Sequence, residues 1–108
     1  MNIMDKIKIQ IPQNLIAGFC NRWKIKELSV FGPVLREDFN PDSDIDVVVT
    51  FAGDTHWSLF DMVTMQDELK EILGREVDLV ERRAIERSEN YIRRRHILQS
   101  LEQVYVAG

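Results

Sequence analysis

The sequence predicts a small α/β (α+β) domain, in which a mixed β-sheet of three to four strands packs against helices. Three observations carry this expectation. Helix-period apolar stripes alternate with short apolar runs that stop at glycine or proline. The run Val47-Val48-Val49 has no polar face, so it reads as a central strand covered on both sides. No G-x-G-x-x-G turn follows a strand, which argues against a dinucleotide-binding doubly wound sheet.

Met1 to Ile11 alternates loosely and ends at Pro12, an extended lead-in. From Gln13, the residues Leu15, Ile16, Phe19, Cys20 and Trp23 recur at helical spacing, and Pro12 suits the start of a helix. Trp23 shares the phase of Phe19, which favours core packing over a base-stacking role. Cys20 lies on the same face and reads as a buried filler rather than a nucleophile. Glu27 to Phe31 forms a first strand, with Leu28 and Val30 on one face, and Gly32-Pro33 ends it. Asn40-Pro41-Asp42 is a turn, Asp44 to Phe51 a second strand, and Ala52 to Trp57 a loop.

Ser58 opens the next helix, with Asp61 completing a capping box. Its apolar stripe is Leu59, Met62, Val63, Leu69, Ile72 and Leu73, and Gly74 stops it. Arg75 to Val80 is the third strand. Ser88 to Ala107 reads as a last helix, with Ile92, Leu98, Leu101, Val104 and Tyr105 on one side.

A length of 108 residues suits one core and a single domain, residues 1–108. With 44% hydrophobic and 30% charged residues, the composition is that of a globular chain. No apolar run approaches the ~20 residues of a membrane span, and no signal peptide is visible, so no membrane role is expected. Cys20 is the only cysteine, which excludes a disulfide framework and fits a cytoplasmic location. The net charge of −4 argues against nucleic acid as the main partner. One segment is locally basic: Glu81 to Arg95 holds six arginines against three glutamates. It reads as a solvated face, as a docking surface for an acidic partner, or as an RNA contact.

The chemistry concentrates at Asp44-Ile45-Asp46. Side chains on a strand alternate, so Asp44 and Asp46 point the same way, with Cα atoms roughly 6.5 Å apart. Two carboxylates held together repel unless a cation sits between them, and a divalent metal is the simplest occupant. A strand-start turn is the plain alternative, since Asp and Ser are frequent in turns. A calcium loop beginning at Asp42 is excluded, because Val47 and Gly53 stand where its Gly and Glu belong. Asp78 lies inside the apolar run Val77-Asp78-Leu79-Val80, a costly place for a charge unless it is paired or metal-bound. Three carboxylates on adjacent strands can hold two magnesium ions for nucleotidyl transfer.

This arrangement resembles the DNA polymerase β nucleotidyltransferase superfamily, whose signature is Gly-Ser, a spacer, then D-x-D. Here Gly32-Pro33 is followed by the ten residues Val34 to Ser43 and then Asp44-Ile45-Asp46. The stretch LREDFNPDSDIDVVV is similar to the minimal nucleotidyltransferases, MNT, which are usually antitoxins paired with a HEPT-domain toxin. The resemblance implies a polymerase-β-like core, ATP as substrate, two Mg2+ ions and a HEPT-like toxin as partner. It implies that AMP is transferred to a hydroxyl of that toxin, a tyrosine being the expected acceptor. It assigns Asp44, Asp46 and Asp78 as catalytic and metal-binding residues, and Gly32, Pro33, Arg36 and Ser43 as nucleotide-binding residues. Pro33 departs from the pattern, since the family has Ser there. That departure favours a second reading, a weakened nucleotidyltransferase that neutralises its toxin by binding alone. A small-molecule nucleotidyltransferase of the aminoglycoside type is a third reading, weakened by the lack of room for a second domain.

Overall fold

The computed structural model describes residues 11–31 and 44–107. In chain order the elements are α1 (Gln13–Arg22), β1 (Ile25–Phe31), β2 (Ile45–Phe51), α2 (Leu59–Leu73), β3 (Val77–Glu81), α3 (Arg82–Glu86), α4 (Tyr91–Gln99) and β4 (Glu102–Val106). The strands form one mixed sheet in the order β3-β2-β1-β4. β1 runs antiparallel to β2 and β4, and β3 runs parallel to β2. A parallel neighbour needs a long return connection, which α2 supplies.

The valine run of β2 is buried on both faces. Val47 and Val49 pack with Phe19, Met65 and Leu69 beneath α1 and α2. Val48 points the other way, against Ile85 of α3 and Ile97 of α4. The sheet is therefore a middle layer, as the absence of a polar face in β2 requires.

Local chemistry sets the helix limits. The Ser58 hydroxyl accepts the Asp61 N–H at 3.1 Å, and the Asp61 carboxylate accepts the Ser58 N–H at 3.0 Å. Gly74 ends α2 in the left-handed region, at φ 68°, where a side chain would be strained. The buried face of α2 centres on Met65 and Leu69, with Met62, Ile72 and Leu73 half-buried beside them. Leu59 and Val63, expected on that stripe, are exposed. They lie in the first two turns of α2.

Trp23 is structural. Its ring meets Trp57 edge-on at 5.0 Å, and its indole N–H donates to Glu68 at 3.0 Å. Cys20 is fully buried in the core, and burial pushes its thiol up to about 12, so it supplies no thiolate at neutral pH.

The expected last helix from Ser88 to Ala107 is overturned. Helix ends at Gln99, and Glu102–Val106 is strand β4, paired with β1 from Glu27↔Val106 to Val30↔Glu102. Leu98, Leu101, Val104 and Tyr105 do fall at helical spacing. Val104-Tyr105-Val106, however, are β-favouring residues, and the edge of β1 offers them a ladder that also covers that edge. The Ser100 hydroxyl donates to the His96 carbonyl at 2.6 Å as the helix closes. Among the described residues, no helix is long and apolar enough to cross a membrane.

Candidate active site

Asp46 is the second residue of β2 and Asp78 the second of β3, and parallel register sets them directly side by side. Neighbouring strands lie about 4.8 Å apart, so the two carboxylates share one small region. Phe31, the last residue of β1, pairs with Asp46 from the other side. Further along the same face come Val48 and Val80, covered by Ile85 and Ile97. This face is thus apolar under α3 and α4 and acidic where the strands begin.

A cavity of about 310 Å³ opens at that junction, lined by Phe31, Asp46, Asp78, Ile85, Arg93 and Ile97 among others. Asp44 is exposed, immediately before β2 and two residues ahead of Asp46, and it does not line the cavity. The structure therefore brings Asp46 and Asp78 together and leaves Asp44 at the rim. Among the described residues, no three His, Cys, Asp or Glu side chains gather into a set that could hold a metal ion. Two carboxylate donors nonetheless suit magnesium, which takes one or two carboxylates and fills its remaining positions with water and substrate phosphates. Gly32, Pro33, Arg36 and Ser43 lie outside the described residues.

The basic segment divides into separate roles. Arg82 lies 3.9 Å from Glu27 and 3.6 Å from Glu86, and Arg83 lies 3.8 Å from Glu81. Arg94 donates to the carbonyls of Ser88 at 2.9 Å and Glu86 at 3.4 Å, tying α4 to the end of α3. Arg93, Arg94 and Ser88 all line the cavity, and no sequence motif marks them for it. Their placement depends on α4 folding back over the sheet, a tertiary fact without a local motif. His56 and His96 are both exposed and neither lines the cavity.

Paired carboxylates at the start of adjacent parallel strands thus stand beside a cavity. Residues 13–101 match the nucleotidyltransferase domain family, and the chain belongs to that family. A candidate protein adenylyltransferase of Methanocaldococcus jannaschii, MJ0435, is 39% identical over 80 residues, spanning 74% of this chain and 77% of the relative. A crystal structure of a toxin–antitoxin with AMP-PNP superposes with a TM-score of 0.67 at 20% identity, covering 89% of this chain and 74% of that one. A tri-AMPylated Shewanella oneidensis HEPN toxin in complex with an MNT antitoxin superposes with a TM-score of 0.59 at 21% identity, covering 88% and 70%. At these identities the two structures demonstrate a shared fold.

Proposed function

We propose that the chain is an antitoxin-type minimal nucleotidyltransferase, which transfers AMP from ATP to a tyrosine hydroxyl of a HEPT-like toxin with Mg2+. The observation that carries this reading is the in-register pairing of Asp46 and Asp78 at the cavity. The name of the archaeal relative and the toxin–antitoxin folds support a protein acceptor.

In this reading Asp44 and Asp46 would hold two magnesium ions and Asp78 would share one of them. When bound, the ions neutralise phosphate charge and stabilise the leaving pyrophosphate. Asp78 would also take the proton of the acceptor hydroxyl. The acceptor oxygen forms a bond to the α-phosphorus, the bond from that phosphorus to the bridging oxygen breaks, and pyrophosphate departs. The apolar lining from Phe31, Ile85 and Ile97 limits water, the competing acceptor.

The test is direct. The partner toxin, incubated with this chain, ATP and magnesium, is expected to gain the mass of one or more AMP groups in intact-mass spectrometry. A complex that forms while the toxin mass stays constant would refute the transfer. That outcome is the one expected of the second reading, binding alone, which Pro33 favours.

The outward cations suit an acidic toxin surface. Arg87 and Arg95 are exposed, and neither side chain pairs with another described residue. Reversing both to Glu is expected to weaken capture of the toxin about tenfold at low salt, and less at high salt, because rim charges steer association. Surface plasmon resonance at two ionic strengths measures this. Equal capture at both ionic strengths would leave these arginines as plain solvated charges.

A further inference from the structure

We propose that the first two turns of α2 form a self-association surface, on which a second copy of this chain packs helix against helix about a two-fold axis. This is independent of the nucleotidyl-transfer reading.

Leu59 and Phe60 are 80% and 85% exposed, and Val63, one turn on, is half exposed. The start of α2 that carries them is held in place. The Trp57 indole N–H donates to the Trp23 carbonyl at 3.0 Å, and the Ser58–Asp61 capping box follows. The Thr64 hydroxyl then donates to the Phe60 carbonyl at 3.0 Å. Met65 and Leu69 set which side of the helix is buried. Phe60 lies roughly half a turn round the helix from both, which leaves its ring in solvent. Removing large apolar side chains from water is favourable, and a patch of several hundred Å² is the size that marks an interaction site.

Charge and position select the occupant. Leu59, Phe60, Met62, Val63 and Thr64 carry no charge, and the Asp61 carboxylate is turned to the N–H and hydroxyl of Ser58. An acidic or a basic partner finds no counter-charge here. A second copy meets an uncharged apolar surface, so the chain's net charge of −4 does not set the two patches against each other. The patch also lies apart from the cavity. α2 packs on the Val47 and Val49 side of the sheet, whereas α3 and α4 pack on the Val48 side. It begins beyond the end of β2, and Asp46 lies near the start of that strand. A copy seated on α2 therefore leaves open both the cavity and the arginines proposed to face the toxin. In a two-fold pair one patch serves both copies, and antiparallel helices set Phe60 of each against Val63 of the other. Counted twice, and with Thr64 and Asp67 at its rim, the contact reaches about 1,000 Å², the lower limit for a specific interface. The pair is accordingly a reversible one.

The experiment is sedimentation velocity on the full chain alone, from about 1 μM to about 1 mM. The mass is expected to rise from that of one chain towards twice that value, and to do so as readily at high salt as at low, because the patch is uncharged. Phe60→Ser should raise the dimer dissociation constant about tenfold or more, and Leu59→Ser should act in the same direction. Tyr91→Ser removes an exposed aromatic ring from α4 and should leave the constant unchanged. Melting temperature in dilute solution should hold in all three variants, because the altered side chains are exposed. A single-chain mass over the whole range overturns the proposal. So does a dimer that Phe60→Ser leaves intact, or that Tyr91→Ser weakens equally, since either result puts the contact elsewhere. Should Phe60→Ser lower toxin capture while the unaltered chain alone stays single, the patch is a toxin-docking face and the second copy is ruled out.

Discussion

Asp46→Asn is expected to lower AMP transfer by about a thousandfold or more, with the fold intact. The substitution removes the charge proposed to hold a magnesium ion and leaves the shape of the side chain almost unchanged. Metal stabilisation of transferring phosphoryl charge contributes several kcal/mol, and three decades of rate correspond to about 4 kcal/mol. Asp78→Asn should match it within about an order of magnitude, since Asp78 sits beside Asp46 in the same register and is the residue proposed to take the acceptor proton. Asp44 is exposed at the rim, so Asp44→Asn discriminates between two arrangements. A loss as large as that of Asp46→Asn shows that the rim carboxylate joins the metal set when nucleotide binds. A much smaller loss confines the set to the two cavity residues. Initial rates of toxin modification, at saturating ATP and magnesium, give the comparison.

Stability serves as the control for these variants. Like charges on adjacent strands are unfavourable by roughly 0.2–1 kcal/mol. Neutralising Asp78 should therefore leave the melting temperature unchanged or slightly raised. A variant that loses transfer and also melts several degrees lower would have lost its fold, and its rate could not be assigned to the metal site.

The two aspartates that meet at the cavity each stood out in the sequence for a local reason. D-x-D at the start of an apolar run fixes two side chains on one face by the period of a strand alone. An aspartate inside the apolar run Val77-Asp78-Leu79-Val80 stands out by its neighbours, although the structure leaves its side chain exposed at the start of β3, so the burial cost expected from the sequence is not incurred. Gly74 and the Ser58–Asp61 capping box set the ends of α2 by the same kind of short-range chemistry, and both appear in the structure. The C-terminal segment was not legible. Leu98, Leu101, Val104 and Tyr105 satisfy a helical period, and only the edge of β1, distant in sequence, turns residues 102–106 into a strand. The second wall of the cavity was hidden for the same reason. Nothing near Arg93 in the chain shows that it will line the same cavity as Asp46, because that depends on Ile85 and Ile97 packing against Val48. Local rules place a residue on an element, whereas the company it keeps depends on which elements stack.

Pro33→Ser is expected to raise the rate of AMP transfer about ten- to a hundredfold. Proline has no backbone N–H and no hydroxyl, so a serine at this position offers the triphosphate up to two donors that are lacking here. A hydrogen bond to a charged group contributes roughly 1.5–3 kcal/mol, and each ~1.4 kcal/mol is a decade in binding or rate. Stability should change little by comparison, since replacing a proline alters the entropy of the unfolded chain by no more than about 1 kcal/mol. The gain should appear with the native toxin as acceptor, at matched ATP and magnesium, and it should be largest at low ATP. Asp46→Asn in the Pro33→Ser background should abolish the gain, because the added donors orient a nucleotide that the carboxylates must still anchor through metal. If the serine variant and the native chain are both inactive while the toxin stays neutralised, the chain works by binding alone. In that event the catalytic role proposed for Asp46 and Asp78 must be given up.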